Sequence, residues 1–179
     1  DLFHQEYWPE HPLGAPVCGT RATVEGFDRE ACVGLLAARY RPDRLVIAAA
    51  GQVRHAALVD EVAARFGALE GRAVPTDQTV PVARSTVAVY ERKLEQVQLC
   101  LGTAGVSASD PARDAVAVLN AALGDSPSSR LFQEIRERRG RAYSIDSFAC
   151  GYRDTGYIGI TAGTRARWVA EVVDVVLAE

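Results

Sequence analysis

The 179-residue chain has no methionine and only three histidines, His4, His11 and His55, spread far apart. With no HExxH, no HxxEH and no cysteine-rich ligand set, the usual zinc sites are excluded from this sequence. His4 near Glu6 and His11 near Glu10 read as surface or capping histidines. Cysteine is scarce as well: Cys18, Cys32, Cys100 and Cys150 form no CxxC pair and suggest no disulfide framework in a chain this large. Buried, reduced thiols are expected, which suits a reducing compartment. No GxGxxG follows a strand and no GxxxxGK[ST] occurs, so glycine-based nucleotide cradling is not supported. No apolar run approaches the ~18 residues of a membrane span; the longest are 45–50 and 172–178. Positive charge is not in excess either. The 20 basic and 23 acidic residues divide as 9 against 11 up to residue 84 and 11 against 12 beyond it. That balance excludes the field needed for bulk nucleic-acid binding. A soluble protein with no nucleic-acid or membrane partner is expected. The missing initial Met and an end inside a helical pattern at Glu179 suggest a segment cut from something longer.

What is present is ordinary globular composition, 48% hydrophobic and 24% charged with 15 Gly and 8 Pro, enough to bury a core without staples. Residues 1–8 read as the last turns of a helix stopped by Pro9 and Pro12, and 14–26 as irregular. Asp28 is a candidate N-cap for a helix carrying Cys32, Leu35, Leu36 and Arg39 up to Tyr40, which Pro42 ends. The apolar run 45–50, stopped by Gly51, predicts a buried strand. Leu58, Val62 and Phe66 recur every four residues along a helix over 54–66. Residues 68–84 lose periodicity and hold Gly71, Pro75, Thr76, Asp77 and Pro81, the best unit boundary in the chain.

Beyond it, alternation predicts strands over 85–91 and 96–101. Asp110-Pro111 opens a helix ended by Gly124, and Ser126-Pro127 opens another that carries Leu131, Phe132 and Ile135 to Gly140. Strands over 142–148 and 157–162 are joined through Gly151 and Gly156. Thr164 then caps a last helix with Trp168, Val169, Val172 and Val176. The order β-β-α-α-β-β-α with short links predicts α+β: a mainly antiparallel sheet with helices packed on one face, preceded by an α-β-α tail. The expected units are 1–72, a linker over 73–84, and 85–179.

Few residues here suggest chemistry. Gly124-Asp125-Ser126 superficially resembles the nucleophile segment of trypsin-like proteases, but Pro127 follows at once, so Ser126 reads as an N-cap. Asp125, Asp146 and Asp154 form no pair and read as solvated. Arg136, Arg138, Arg139 and Arg141 make a cluster too short for RNA in a chain of net charge −3. The informative stretch is 128–144. A helix ends near Arg139, Gly140 supplies the C-cap conformation, and a strand starts at Ala142. Arg136 in the last turn and Tyr143 on the strand are folded back toward each other, so a guanidinium and a phenol can converge on one cavity. The plainer alternatives are an arginine favoured by the helix dipole and a half-buried packing tyrosine.

This run resembles the C-terminal-domain signature of the insulinase/pitrilysin family of zinc metallopeptidases, in its mitochondrial-processing-peptidase branch. Residues 1–14 with Gly19-Thr20, residues 40–66, residues 94–99, Leu123-Gly124 and Asp154-Thr155-Gly156 are similar to family segments in the same order. The resemblance implies a parent zinc metalloendopeptidase whose HxxEH and further glutamate lie upstream. This chain would then hold the end of the N-terminal peptidase unit after the zinc motif (1–72) and a truncated C-terminal substrate-gripping unit (85–179). It implies that Tyr143 hydrogen-bonds the scissile region and steadies the oxyanion formed by zinc-activated water, while Arg136 orients the substrate backbone. The partners implied are a peptide or unfolded polypeptide substrate and an N-terminal zinc-bearing unit in cis or in trans, as a homo- or heterodimer. A cytoplasmic location is expected, with periplasm or organelle matrix as alternatives. The chain alone, lacking HxxEH, is expected to be inactive. A non-catalytic partner subunit of a heterodimeric peptidase is the alternative reading. Arg141 stands where many relatives have Leu, and Asp125-Ser126-Pro127 replaces a Gly-rich stretch, which argues against a flexible substrate loop there.

Overall fold

The computed structural model describes residues 1–72 and 79–179. In chain order the helices are α1 (Leu2–Tyr7), α2 (Arg21–Glu25), α3 (Arg29–Arg39), α4 (His55–Phe66), α5 (Arg113–Leu123) and α6 (Val169–Ala178), with a π-helical segment Phe132–Arg138 between α5 and the second strand. The strands are β1 (Val97–Ala104), β2 (Ala142–Gly151) and β3 (Gly156–Thr164). Two compact units result: Cys18–Thr79, and Asp1–Val17 together with Val80–Glu179. The expected linker 73–84 falls partly on residues 73–78, which lie outside the described residues.

The unit Cys18–Thr79 is helical. Asp28 caps α3 as its sequence suggests, its Oδ1 accepting from Ala31 N at 2.7 Å. The stretch expected to be irregular instead contains α2, because Thr20 and Thr23 cap each other: Thr23 N donates to Thr20 Oγ1 at 3.2 Å and Thr20 N to Thr23 Oγ1 at 2.8 Å. The strand expected over 45–50 is not formed, and Val46 is 92% exposed. Among the described residues no strand lies beside it to complete a ladder, and apolar sequence alone cannot supply one. The expectation of buried cysteines fails also: Cys18, Cys32 and Cys100 are exposed and Cys150 is partly buried. Small apolar character sets a preference for burial, but what covers a side chain is decided by its neighbours.

The other unit is α+β, built on an antiparallel sheet in the order β1-β3-β2. The sequence places Leu99 and Leu101 on one face of β1, and pairing puts them opposite Ala162 and Ile160 of β3. On β2, Ile145 pairs with the same Ala162. This face receives Leu131 and Ile135 from the π-helical segment and Val172, Val175 and Val176 from α6, all buried. The apolar stripes of two helices thereby cover one side of the sheet.

The opposite face carries α1. Tyr7 and Trp8 pack with Tyr157 of β3, flanked by Phe3, Phe148 and Tyr152. Gly102 makes the approach possible, since a Cβ there would overlap the Phe3 ring. His4 Nε2 and the Tyr157 hydroxyl are 2.8 Å apart. Burial holds the His4 imidazole below its ordinary pKa and pushes the Tyr157 phenol well above its own. The helices that follow β1 pack on one face, as expected, and the aromatic run Phe3 to Trp8 of the preceding segment covers the second.

Three further local expectations are corrected. Residues 85–91 form no strand; this stretch and its approach are held by Arg84 N donating to Tyr7 O at 2.8 Å and Tyr90 OH donating to Glu6 Oε1 at 2.6 Å. Alternation without a neighbouring strand leaves an extended chain, so the observed order is β-α-α-β-β-α. Ser126 does not cap a helix: its hydroxyl pairs with that of Ser128 at 3.1 Å, and helical geometry begins at Arg130. Thr164 likewise ends β3, its Oγ1 donating to Arg141 O at 2.5 Å instead of capping α6. Asp110 lies in the turn ahead of its helix, with Oδ1 accepting from Ala112 N at 2.8 Å, while Ala112 is the N-cap of α5 and Pro111 stays outside it. No described helix is long and apolar enough to cross a membrane.

Candidate functional site

The site is built where the π-helical segment returns into β2. Ile135 and Leu131 are fully buried and anchor that segment, which sends the neighbouring Arg136 toward the sheet end. Gly140, at φ +60°, reverses the chain without the penalty a side chain would carry. Gly140 N then donates to Arg136 O at 3.2 Å and Arg141 N to Ile135 O at 2.8 Å, closing the helix end.

β2 starts with an irregularity. Ala142 pairs with Thr164 and Ser144 with Gly163, so Tyr143 is the extra residue of a bulge. A bulge re-aims the side chain it carries; Tyr143 is 75% exposed. The Arg136 guanidinium carbon lies 5.3 Å from the Tyr143 ring centroid and 4.7 Å from that of Phe132. Arg136 is thus held between two aromatic rings, and the expected convergence with Tyr143 is present. Each such contact is worth about 0.5–1 kcal/mol at an exposed site, enough to orient a long side chain.

Both residues line an open cavity of about 610 Å³, with Gln96, Arg165, Arg167 and Trp168 among its other walls. The remaining arginines of the run point to carboxylates. Arg138 pairs with Glu134, Arg139 lies 3.8 Å from both Glu134 and Glu171, and Arg141 Nε binds Glu171 Oε2 at 2.8 Å. Arg141 also stacks on Trp168, its guanidinium carbon 3.8 Å from the ring centroid. So the arginine cluster is mostly a set of internal ties, and Arg136 is the member turned toward Tyr143. Sequence reasoning took Trp168 as helix packing and did not single out Arg165 or Arg167. The signal available was two cations at the start of a helix, where the dipole disfavours them.

Among the described residues no three His, Cys, Asp or Glu side chains are grouped so as to hold a metal ion. The described residues therefore offer no donor set that fits a zinc site. The sheet end can offer hydrogen-bond donors and positive charge to a polar chain laid across it.

Known proteins share this fold. The family model Peptidase M16 inactive domain matches residues 27–179. An uncharacterized zinc protease of Streptomyces coelicolor is 39% identical over 183 residues, covering 98% of this chain and 40% of the relative. Zinc protease YmxG of Bacillus subtilis, also uncharacterized, is 33% identical over 176 residues, covering 98% and 43%. Among solved structures, a peptidase M16 inactive domain from Pseudomonas fluorescens superposes with a TM-score of 0.86 at 23% identity, over 97% of this chain and 43% of that one. A chain of Complex III2 from Candida albicans superposes with a TM-score of 0.82 at 20% identity, over 98% and 44%. Fold and sequence together define an α+β domain of a metallopeptidase family. The chain belongs to that family, the M16 or insulinase-type peptidases, and matches their inactive domain. It spans about 40% of the length of the curated relatives it matches.

Proposed function

We propose that this chain is the substrate-gripping, non-zinc part of a zinc metalloendopeptidase of the processing-peptidase branch, acting on peptides or unfolded polypeptides in the cytoplasm. The observation that carries the reading is the convergence of Arg136 and Tyr143 on one cavity. In this reading residues 85–179 are the gripping unit and 1–72 come from the end of the N-terminal unit of the longer protein, with the first segment, 1–17, packing beside residues 80–179. Zinc would be held by that longer protein, named for zinc in its relatives, and supplies the activated water when bound. This chain's own residues do other work. The Tyr143 hydroxyl donates a hydrogen bond to the scissile carbonyl as its oxygen gains negative charge. Arg136, held by the Phe132 and Tyr143 rings, orients the peptide backbone and keeps the phenol in place.

Donors aimed at a developing oxyanion are worth about 3 kcal/mol each, or 10²–10³ in rate. Tyr143→Phe in the full-length protein is therefore expected to lower kcat for peptide hydrolysis by about 10²-fold, with zinc content and circular dichroism unchanged. Wild-type turnover by that variant would remove Tyr143 from the mechanism. Hydrolysis that appears only when a second, zinc-bearing chain is added would assign the protein to the partner-subunit arrangement.

A further inference from the structure

The cavity wall carries more positive charge than the Arg136–Tyr143 pair uses. Arg136, Arg141, Arg165 and Arg167 all line it, against Glu137 as the lining carboxylate. Glu137 lies 3.8 Å from Arg136, and Arg141 is satisfied by Glu171 at 2.8 Å. Arg165 and Arg167 have no carboxylate within ion-pair distance among the described residues; Arg167 only stacks on Trp168, 4.9 Å from the ring centroid.

Their position is costly for a purely structural role. Arg165 ends the turn out of β3, and Arg167 sits in the 3-10 turn Ala166–Trp168 that leads into α6. Cations there oppose the helix dipole, which favours anions at this end. The two guanidiniums and the start of α6 present one sign of field to the cavity. Arginine is also the side chain that binds a carboxylate with two parallel hydrogen bonds.

From this we infer that Arg165 and Arg167 select a carboxylate on the bound peptide, so that the enzyme prefers substrates with an acidic group near the cleavage point. The inference rests on the peptidase reading and adds the substrate class to it. The carboxylate can come from a Glu or Asp side chain or from a free C-terminus, and the chemistry recognised is the same.

The test compares kcat/KM of the full-length protein on one fluorogenic peptide series. Each member carries Glu, Gln or Lys at a single position on either side of the scissile bond, with a free or an amidated C-terminus. At low salt we expect Glu to exceed Gln by about fivefold at one position and Lys to fall below Gln. The ratio should shrink as salt rises from about 50 to about 500 mM. In the double variant Arg165→Gln, Arg167→Gln it should approach one. A preference that follows the free C-terminus and ignores Glu identifies the terminal carboxylate as the group selected. Cleavage of Gln peptides with no preference for either carboxylate overturns the inference and leaves the peptidase reading standing. A preference unchanged in the double variant overturns the assignment to these two residues. Failure to cleave any member overturns both.

Discussion

The Arg141 guanidinium stacks on the Trp168 indole with 3.8 Å from carbon to ring centroid, while its Nε holds Glu171 of α6 at 2.8 Å. These contacts tie the turn between Arg136 and Tyr143 to the helix that follows β3. The geometry of the two site residues thus depends on a residue far away in sequence.

Truncating that platform is the first prediction. Trp168→Ala removes the surface under both Arg141 and Arg167 and is expected to cost about 2–3 kcal/mol, less than a fully buried Trp because Trp168 is only half-buried. Urea unfolding of the full-length protein should show a lower midpoint, with peptide hydrolysis falling even where the protein remains folded. An unchanged midpoint would mean that the indole carries no packing.

Arginine at position 136 is required for its shape as well as its charge. A planar guanidinium can lie against both Phe132 and Tyr143, whereas an ammonium is a compact charge with no flat face. Arg136→Lys is expected to lose roughly tenfold in kcat/KM or more, measured beside Arg136→Ala. Full activity of the lysine variant would show that charge alone suffices.

The packing of α1 on the sheet is testable through two residues. Gly102→Val places side-chain atoms where the Phe3 ring lies and is expected to cost about 1–3 kcal/mol. Phe3→Ala should recover part of that loss, so the double variant is more stable than the sum of the singles predicts. Strict additivity in a thermal-denaturation cycle would place Phe3 elsewhere.

His4 gives a pH dependence whose sign is fixed by its burial. Its pKa in the folded protein is lower than in the unfolded chain, so the unfolded state binds the proton first as pH falls. The contribution of His4 to stability is therefore constant above the ordinary histidine range and declines as pH drops below about 6.5. His4→Gln, which keeps a hydrogen-bonding group for the Tyr157 hydroxyl, should flatten that decline when Tm is followed between neutral and mildly acidic pH. An identical slope in the variant would trace the pH effect to other groups.

Much of the fold was legible locally. Asp28 announces its helix because a short carboxylate satisfies an N–H group a few residues on, an interaction contained in the sequence itself. Alternation of Leu99 and Leu101 with Gln98 and Cys100 separates two faces for the same reason. Gly140 marks the reversal that brings Arg136 and Tyr143 together, and its positive φ is what the helix end requires. The errors have a common physical origin. Val46 and the run around it have strand composition, yet a strand is defined by a neighbour that shares its N–H and C=O groups.

Sequence by itself therefore determined the helices with self-contained caps, the two-faced strands, and the arginine and tyrosine seven residues apart across a glycine turn. Tertiary structure decided which runs gained a ladder partner, that Phe3 and Trp8 would cover the second face of the sheet, and that Arg165 and Arg167 would join Arg136 around one cavity. The division follows the reach of the forces. Capping and turn preferences act within a few residues, whereas pairing, burial and cavity charge are properties of groups that only folding brings into contact.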